Sequence, residues 1–253
     1  MLSLTLWLVI TGLCLPGIWL MTRYTVSDLA AKPDNHLSER TLGIVVSAQT
    51  ILVVAIAAAA GIYFAPKVGI TDRFLVDLSQ GRLAWADLYR QLWAGLAGGI
   101  VCALVWMGSY YGFLRPRIDR ESVRISESTR HELGLWTRIT SGGMTEEVLF
   151  RWGLLSFTMW AISLTGTSPA AAFWISIIIT GVLFGLAHLP GHFAMGCKKS
   201  PILIGTTVLG NLWVSILCGF LLWQYGLIAA ILVHILFHVI WYPWDRAAAL
   251  QSS

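Results

Sequence analysis

Long apolar segments limit most strongly what this chain can fold into. A helix needs about 20 mostly apolar residues to cross the hydrocarbon core of a bilayer. Seven segments of the sequence meet this requirement, and they cover 2–22, 42–65, 91–114, 134–163, 169–188, 202–224 and 226–244. The sequence therefore predicts an all-α fold, a polytopic helix bundle embedded in the lipid bilayer with about seven transmembrane helices.

The stretch between the second and third segments adds one further candidate, a half-inserted helix around residues 74–90. Only 12% of the residues are charged, which is about half the roughly 25% of soluble globular proteins and supports a lipid environment. The sequence shows no internal repeat, low-complexity linker or soluble domain. We therefore expect residues 1–253 to form a single membrane domain.

Basic residues between the segments indicate the orientation of the chain. Eleven Lys and Arg residues follow the first, third, fifth and seventh segments, whereas four lie on the opposite side. Cytoplasmic loops carry an excess of Lys and Arg, so we expect the N-terminus outside and the C-terminus in the cytoplasm. Residues 1–22 lack a basic n-region and precede Arg23, which favours a membrane anchor over a cleaved signal peptide. Because most of the basic residues fall in short loops, no nucleic-acid partner is expected.

The fourth segment carries three ionisable residues within an apolar helix. Its sequence GGMTEEVLFRWGLL (142–155) places Glu146, Glu147 and Arg151 where a charge costs about 2.5–3.5 kcal/mol at the bilayer centre. Glu147 and Arg151 lie at i and i+4, so they can form an ion pair on one helix face. Glu146 points about 100° away, which leaves its carboxylate without a local cation. We interpret Glu147–Arg151 as a structural pair and Glu146 as the functional group.

The fifth segment ends in a histidine motif. In FGLAHLPGH (184–192), Phe184 lies one helical turn before His188. Proline disfavours a helical residue before it, and a glycine follows, so Leu189-Pro190-Gly191 is predicted to end the helix. His192 is then expected in a surface loop rather than in a site.

The seventh segment carries a second histidine motif. HILFH places His234 and His238 at i and i+4, on one face of the helix. A single histidine in an apolar helix often makes only an interhelical hydrogen bond. With the expected orientation, however, Glu146, His188 and the two histidines of HILFH all fall near mid-membrane or in its cytoplasmic half. This convergence from three helices favours a functional site.

The residue types of this site suit hydrolysis by an activated water. A free carboxylate beside a histidine can act as a general base, and a histidine pair on another helix can stabilise an oxyanion through N–H donors. A serine nucleophile is less favoured, because Ser141 lacks the GxSxG context. The HExxH motif of zinc proteases is also absent.

Three motifs in this order resemble the signature of a protease family. EEVLFR (146–151) matches EExxxR, FGLAH (184–188) matches FxxxH, and HILFH (234–238) resembles HxxxN/D. Together they are similar to the CPBP family of intramembrane proteases, which includes CAAX prenyl endopeptidases and bacterial proteins linked to bacteriocin processing or immunity. The resemblance covers about 134–244, the expected catalytic core, whereas the first half of the chain resembles the family only as generic membrane helices.

The resemblance implies four catalytic residues, Glu146, His188, His234 and His238, and three supporting residues, Glu147, Arg151 and Phe184. Glu146 would be the catalytic base, and His188 would orient and activate the water. His234 would join the site, and His238 would help to hold the oxyanion. Glu147 and Arg151 would order the helix around the site. The expected substrate is a membrane-associated peptide or protein.

One position departs from the family pattern, because His238 stands where Asn or Asp is usual. A neutral imidazole can donate one hydrogen bond, so the oxyanion role is retained. The change also makes a divalent metal such as zinc compatible with the set Glu146, His188, His234 and His238, in line with the older description of the family as metalloproteases. We favour the mechanism without a bound metal or other cofactor.

Two other functions stay open from the sequence. HLPGH (188–192) and HILFH (234–238) both have HxxxH spacing, which suits a membrane metal-dependent oxygenase. The low histidine count, the absence of ExxH and the Pro-Gly that is expected to spoil the helical facing of the first motif argue against it. The other candidate is a non-catalytic immunity or scaffold protein, although each expected catalytic position retains a titratable side chain.

Overall fold

The computed structural model describes residues 3–252, with side chains up to residue 248. Throughout this range the regular structure is helical, as predicted. The α-helices are α1 (Leu4–Ala30), α2 (Glu39–Phe64), α3 (Arg73–Leu78), α4 (Trp85–Ser109), α5 (Arg120–Glu132), α6 (Gly134–Thr137), α7 (Ser156–Ser163), α8 (Pro169–Ala194), α9 (Pro201–Gln224) and α10 (Leu227–Ser252). Short 3-10 or π turns extend α2 and α4 at Ala65–Val68, Tyr110–Leu114 and Arg115–Arg117.

Within the described range, six helices are long and apolar enough to cross a membrane: Leu4–Ala30, Glu39–Val68, Trp85–Arg117, Pro169–Ala194, Pro201–Gln224 and Leu227–Ala248. The remaining predicted segment, 134–163, is one continuous helical run from α6 to α7, but it is wound largely as π-helix. Large apolar side chains are exposed on α1, α2, α4 and α8, as expected of surfaces that contact lipid. The prediction of a polytopic membrane helix bundle is confirmed.

The predicted half-inserted helix at 74–90 is wrong in its extent. The chain forms α3, turns at Gly81, and begins α4 at Trp85. Gly81 has a φ of 76°, a left-handed conformation that glycine adopts without the steric penalty of other residues. A helix cannot continue through this turn, so the segment is a short helix followed by a loop.

Helix α5 was not predicted, because its many charged residues hide the apolar stripe that faces the bundle. Its N-terminus is fixed by Asp119, whose carboxylate accepts a hydrogen bond from the Ser122 N–H at 3.0 Å. Val123 and Ser126 are buried on its inner face. The helix packs against α10, at the end of the bundle where α4 ends.

The predicted end of α8 at Leu189-Pro190-Gly191 is also wrong. The helix continues through Pro190 to Ala194, and it ends before Gly196, which has a φ of 97°. Proline removes only one helix hydrogen bond, and the last turn contacts α5, where His192 Nδ1 lies 3.4 Å from Ser126 Oγ. After the helix, the Lys198 N–H donates a hydrogen bond to the Ser122 hydroxyl at 2.8 Å. His192 therefore lies on a helix and not in a loop.

Helix α10 lies at the centre of the bundle, between α4, α5, α9 and the π-helical run. Its contact with α4 is close because α4 presents glycines there. A Cβ built on Gly95 would lie 2.9 Å from Leu232 Cβ, and one built on Gly99 would lie 2.7 Å from Leu236 Cβ. Small residues at membrane helix contacts allow backbones to approach in this way. Helix α10, which carries HILFH, is thereby fixed on one side.

A buried polar cluster caps the N-terminus of α10. Asp72 is 1% exposed, and its carboxylate accepts hydrogen bonds from Leu75 N–H at 2.9 Å, Gln91 Nε2 at 3.1 Å and Ile228 N–H at 3.2 Å. Gln91 Oε1 accepts a hydrogen bond from Ala229 N–H at 3.2 Å. Burial raises the pKa of the Asp72 carboxyl, and the accepted hydrogen bonds oppose this shift. The cluster satisfies N–H groups that the first turn of a helix leaves without partners.

We expect Asp72→Ala to lower the free energy of unfolding by about 1–3 kcal/mol, because buried donors of Gln91 and Ile228 lose their acceptor. Asp77→Ala on the same short helix is the control. Asp77 pairs with the exposed Arg82, and such surface pairs contribute about 0–1 kcal/mol. Thermal unfolding of both variants in detergent measures the difference, and equal losses contradict the capping role of Asp72.

Candidate active site

A cavity of about 470 Å³ lies at one end of the bundle. Helices α1, α4, α5, α8, α9, α10 and the π-helical run all contribute to its wall. The loops around it follow the first, third and fifth apolar segments, so it occupies the face of the bundle that is rich in basic residues. Ten side chains with ionisable or amide groups line it: Tyr24, Tyr110, Arg130, Arg138, Glu146, His188, His192, Asn211, His234 and His238. The structure thus brings all four predicted catalytic residues to one cavity.

The run around Glu146 is π-helical on both sides. Arg138–Thr145 and Glu147–Leu155 are π-helices, and Glu146 joins them. The backbone N–H of Glu146 donates a hydrogen bond to the carbonyl of Ser141, five residues earlier, as in a π-turn. Turns of this kind are rare and occur frequently at functional sites. The sequence analysis did not predict the π-helix, because it assumed the rotation of about 100° per residue of a regular α-helix.

The two adjacent glutamates lie in different environments. Glu146 is half-buried and lines the cavity, whereas Glu147 is 0% exposed and lies outside the cavity wall. No ion pair or hydrogen bond to the Glu146 carboxylate is present among the described side chains. The predicted division between a paired and a free carboxylate therefore holds in the geometry, although the helix between them is not regular.

Glu147 joins three helical elements. Its Oε2 lies 3.4 Å from Arg151 Nε, as predicted, and its Oε1 lies 2.7 Å from His234 Nδ1. Arg151 Nη2 donates a hydrogen bond to Ser215 Oγ on α9 at 3.1 Å. The contact with His234 was not predicted. It places the proton of the neutral His234 ring on Nδ1, because a carboxylate accepts and does not donate, and so leaves Nε2 as the free nitrogen.

Phe184 orients His188 in two ways. Its carbonyl accepts a hydrogen bond from His188 Nδ1–H at 2.8 Å, which leaves Nε2 of the neutral ring without a proton. The two rings meet edge to face, with centroids 4.7 Å apart and an interplanar angle of 89°. The Arg151 guanidinium lies 4.4 Å from the centre of the Phe184 ring, which gives a cation–π contact. The FxxxH motif therefore fixes the ring and the protonation of His188.

The Gly-Gly before the glutamates allows α10 to reach the site. A Cβ built on Gly142 would lie 2.5 Å from His238 Nε2, and one built on Gly143 would lie 2.5 Å from Ile235 Cγ1. The rings of His234 and His238 stack, with centroids 4.8 Å apart and an interplanar angle of 25°. The small size of the two glycines therefore lets α10 approach this run closely.

A further histidine, His192, lines the same cavity. Its Nδ1 lies 3.4 Å from Ser126 Oγ on α5 and 4.0 Å from Cys197 Sγ. The expectation that Pro-Gly spoils the helical facing of HLPGH is wrong, because α8 continues and both His188 and His192 border the cavity. The i, i+4 spacing of His188 and His192 could have placed both on one helix face. The sequence analysis discounted this spacing because it expected Pro190 to end the helix.

An ion cluster beside His238 was also missed. Asp245 is 0% exposed and accepts hydrogen bonds from Arg130 Nη2 at 2.9 Å and Arg138 Nη1 at 2.8 Å. Arg138 precedes Gly142 by four residues and Glu146 by eight, so helical spacing could have placed it on the functional face. Its partner Asp245 lies 107 residues away, a pairing that no local pattern shows.

The donor geometry gives little support to a metal at the predicted position. Within the part of the chain that the structure describes, the group whose ligand atoms all lie within 4.8 Å is Glu147, Cys218 and His234. The four residues predicted as metal ligands, Glu146, His188, His234 and His238, do not form such a group. Arg151 lies against the carboxylate of the first group, and a fixed guanidinium repels a cation. The metal-free mechanism stays the prediction, and zinc binding stays its alternative.

A family model described as Type II CAAX prenyl endopeptidase, Rce1-like, matches residues 133–240. This range is less than half of the 253 residues and contains the EEVLFR, FGLAH and HILFH motifs. No curated protein and no solved structure matches the chain. The match confirms the resemblance to the CAAX protease family that the three motifs indicate, and it supports protease activity at the level of that family.

We expect Gly142→Ala to destabilise the protein by about 1–3 kcal/mol, the usual cost of overpacking, because the new methyl group collides with the ring of His238. Gly205→Ala in α9 is the matched control. No atom outside its own helix turn lies within 4 Å of a Cβ built there, so this change should leave stability equal or slightly higher. Thermal unfolding of the two variants measures the difference. A Gly142→Ala protein as stable as the control contradicts the close contact.

Proposed function

We propose that the chain is a membrane-embedded endopeptidase that hydrolyses a peptide bond of a membrane-associated substrate through a water activated by Glu146. One observation carries the proposal. Glu146 is a carboxylate on the cavity wall without an ion-pair or hydrogen-bond partner among the described side chains, and His188, His234 and His238 line the same cavity. An unpaired carboxylate in a membrane domain is expensive to maintain, which is reasonable where the group performs a reaction.

Glu146 and His188 are suited to activate the water. In the proposed step Glu146 takes a proton from the water as general base, and the water oxygen attacks the carbonyl carbon of the scissile peptide. The unprotonated Nε2 of His188 accepts a hydrogen bond from the second hydrogen of the water and so orients its lone pair. Both side chains come from rigid helices, which keeps the reacting groups positioned before the substrate arrives.

His238 and His234 are suited to the developing charge. The N–H of His238 donates to the oxygen that becomes the oxyanion of the tetrahedral intermediate. His234, held through Nδ1 by Glu147, packs against the ring of His238 and limits its movement. When the intermediate collapses, the C–N bond breaks and Glu146 returns its proton to the leaving nitrogen, so that one carboxylic acid and one amine are released. The reaction is balanced by water alone.

The cavity also points to the substrate class. Its wall includes Trp106, Tyr110, Phe237 and Trp241, so most of the surface around the polar groups is aromatic or aliphatic. The matching family is named for CAAX prenyl endopeptidases. We therefore assign as substrate a peptide held at the membrane by a prenyl group or a comparable lipid, which reaches the cavity from the bilayer.

We expect Glu146→Gln to lower the rate of cleavage of a farnesylated CAAX peptide by about 10²–10⁴-fold, the range for loss of a general base. The carboxamide has nearly the same shape, so the melting temperature should change little. Glu39→Gln, an exposed change at the start of α2, is the control and should keep full activity. Purified protein in lipid vesicles, with the peptide added to the same vesicles, gives the initial rates.

The outcomes separate the parts of the proposal. Full cleavage by Glu146→Gln contradicts the assigned base. No cleavage of the farnesylated peptide by the unchanged protein contradicts the substrate class, and it favours a non-catalytic membrane protein if other lipidated peptides are not cleaved either.

We also propose that the cavity opens toward the cytoplasm, with the N-terminus outside. The proposal follows from the basic residues after the odd-numbered segments, one of which, Arg130, lines the cavity. Green fluorescent protein fused after Ser253 should then fluoresce, and alkaline phosphatase at the same place should be inactive. Fusions after Gly69, in the loop on the other side, should give the reverse pattern. Active phosphatase after Ser253 contradicts this orientation.

A further inference from the structure

We infer that Arg138, anchored by Asp245, is a positioning residue that fixes the tautomer of His238 so that its Nε2–H is available to the oxyanion. The inference rests on the proposed function and adds a residue to it. It concerns the position at which this chain departs from its family, where a histidine replaces the usual amide or carboxylate.

The contact between Arg138 and His238 determines which ring nitrogen carries the proton. Arg138 Nε lies 3.4 Å from His238 Nδ1 in hydrogen-bond geometry. A guanidinium has only donors, so Nδ1 must present its lone pair. A neutral ring then carries its proton on Nε2, and a doubly protonated ring would direct one N–H against another. Arg138 therefore selects the Nε2–H form of His238.

The other nitrogen lies on the functional face of the π-helical run. His238 Nε2 lies against Gly142, 2.5 Å from the position that a Cβ of this residue would take. Gly142 and Glu146 are four residues apart and both line the cavity. The Nε2–H is therefore on the side of the general base, where the oxygen of a substrate carbonyl would have to lie.

Asp245 keeps Arg138 in this orientation. Arg138 is 5% exposed, and its Nη1 donates to Asp245 Oδ2 at 2.8 Å. Arg130 independently donates to the same carboxylate from Nε and Nη2, at 2.9–3.2 Å. The carboxylate therefore stays paired if Arg138 is replaced by a neutral residue, so such a variant does not leave a buried charge alone.

The replacement of the usual amide explains why such a residue is needed. An asparagine side chain always carries N–H donors, whereas a neutral imidazole carries one proton that can sit on either nitrogen. A histidine at position 238 supplies the donor only if a neighbour fixes the tautomer. Arg138 meets this need, and its effect should disappear when the histidine is replaced by asparagine.

A double-mutant cycle tests this dependence. Arg138→Met in the His238 protein should lower kcat for the farnesylated peptide by about 10–100-fold with KM unchanged, somewhat less than the roughly 10²–10³-fold for loss of a whole oxyanion donor. In the His238→Asn protein the same change should alter kcat by less than about threefold, since there is no imidazole tautomer for Arg138 to fix. Arg138→Lys, which keeps a donor, should recover part of the rate. Melting temperatures are measured for every variant.

Two outcomes of the cycle would overturn the inference. An equal loss of kcat in the His238 and His238→Asn backgrounds would show that Arg138 acts only structurally. An inactive His238→Asn protein would show that an amide cannot serve at this position. A second measurement does not depend on activity. The ¹⁵N shifts of the ring nitrogens, assigned to His238 by comparison with His238→Asn, should show Nε2–H in the unchanged protein and a mixture of tautomers in Arg138→Met. Nδ1–H in the unchanged protein refutes the inference even if peptide cleavage is confirmed.

Discussion

The buried carboxylate of Glu147 connects the elements on which the site depends. It lies on the π-helical run, binds His234 on α10, and pairs with Arg151, which in turn reaches Ser215 on α9 and the ring of Phe184 on α8. Removal of one partner from such a buried network costs about 3–5 kcal/mol, because the remaining charge has no compensation. Four helical elements are therefore held in one arrangement, and the neighbouring Glu146 is left free to face the cavity.

The partners of the three histidine rings favour different tautomers. The Glu147 carboxylate favours a proton on Nδ1 of His234, and the carbonyl of Phe184 favours a proton on Nδ1 of His188. The guanidinium of Arg138 instead favours a proton on Nε2 of His238. In the proposed mechanism, an acceptor for the water and a donor for the oxyanion thus arise from the same side-chain type. The functional difference lies in the neighbours, so the motif alone does not contain it.

The fold and part of the site followed from the sequence, because their signals are local. Apolar length predicts the helices, and i, i+4 spacing predicts the Glu147–Arg151 pair. The contacts of Arg138 with Asp245 and of Glu147 with His234 join residues 107 and 87 positions apart, and local spacing carries no information on them. The end of α8 was misplaced for a related reason: the rule for Pro190 is local, whereas the last turn is held by packing against α5.

Glu146 and His238, rather than the adjacent Glu147, are the residues that we propose to contact the reacting atoms. A structure of the chain with a phosphonate analogue of a farnesylated peptide would test these contacts, since the phosphonate imitates the tetrahedral intermediate. We expect one phosphonate oxygen within hydrogen-bond distance of His238 Nε2 and another beside the Glu146 carboxylate, with Glu147 still bound to Arg151 and His234. A phosphonate bound at Glu147, at His192 or outside the cavity would contradict it.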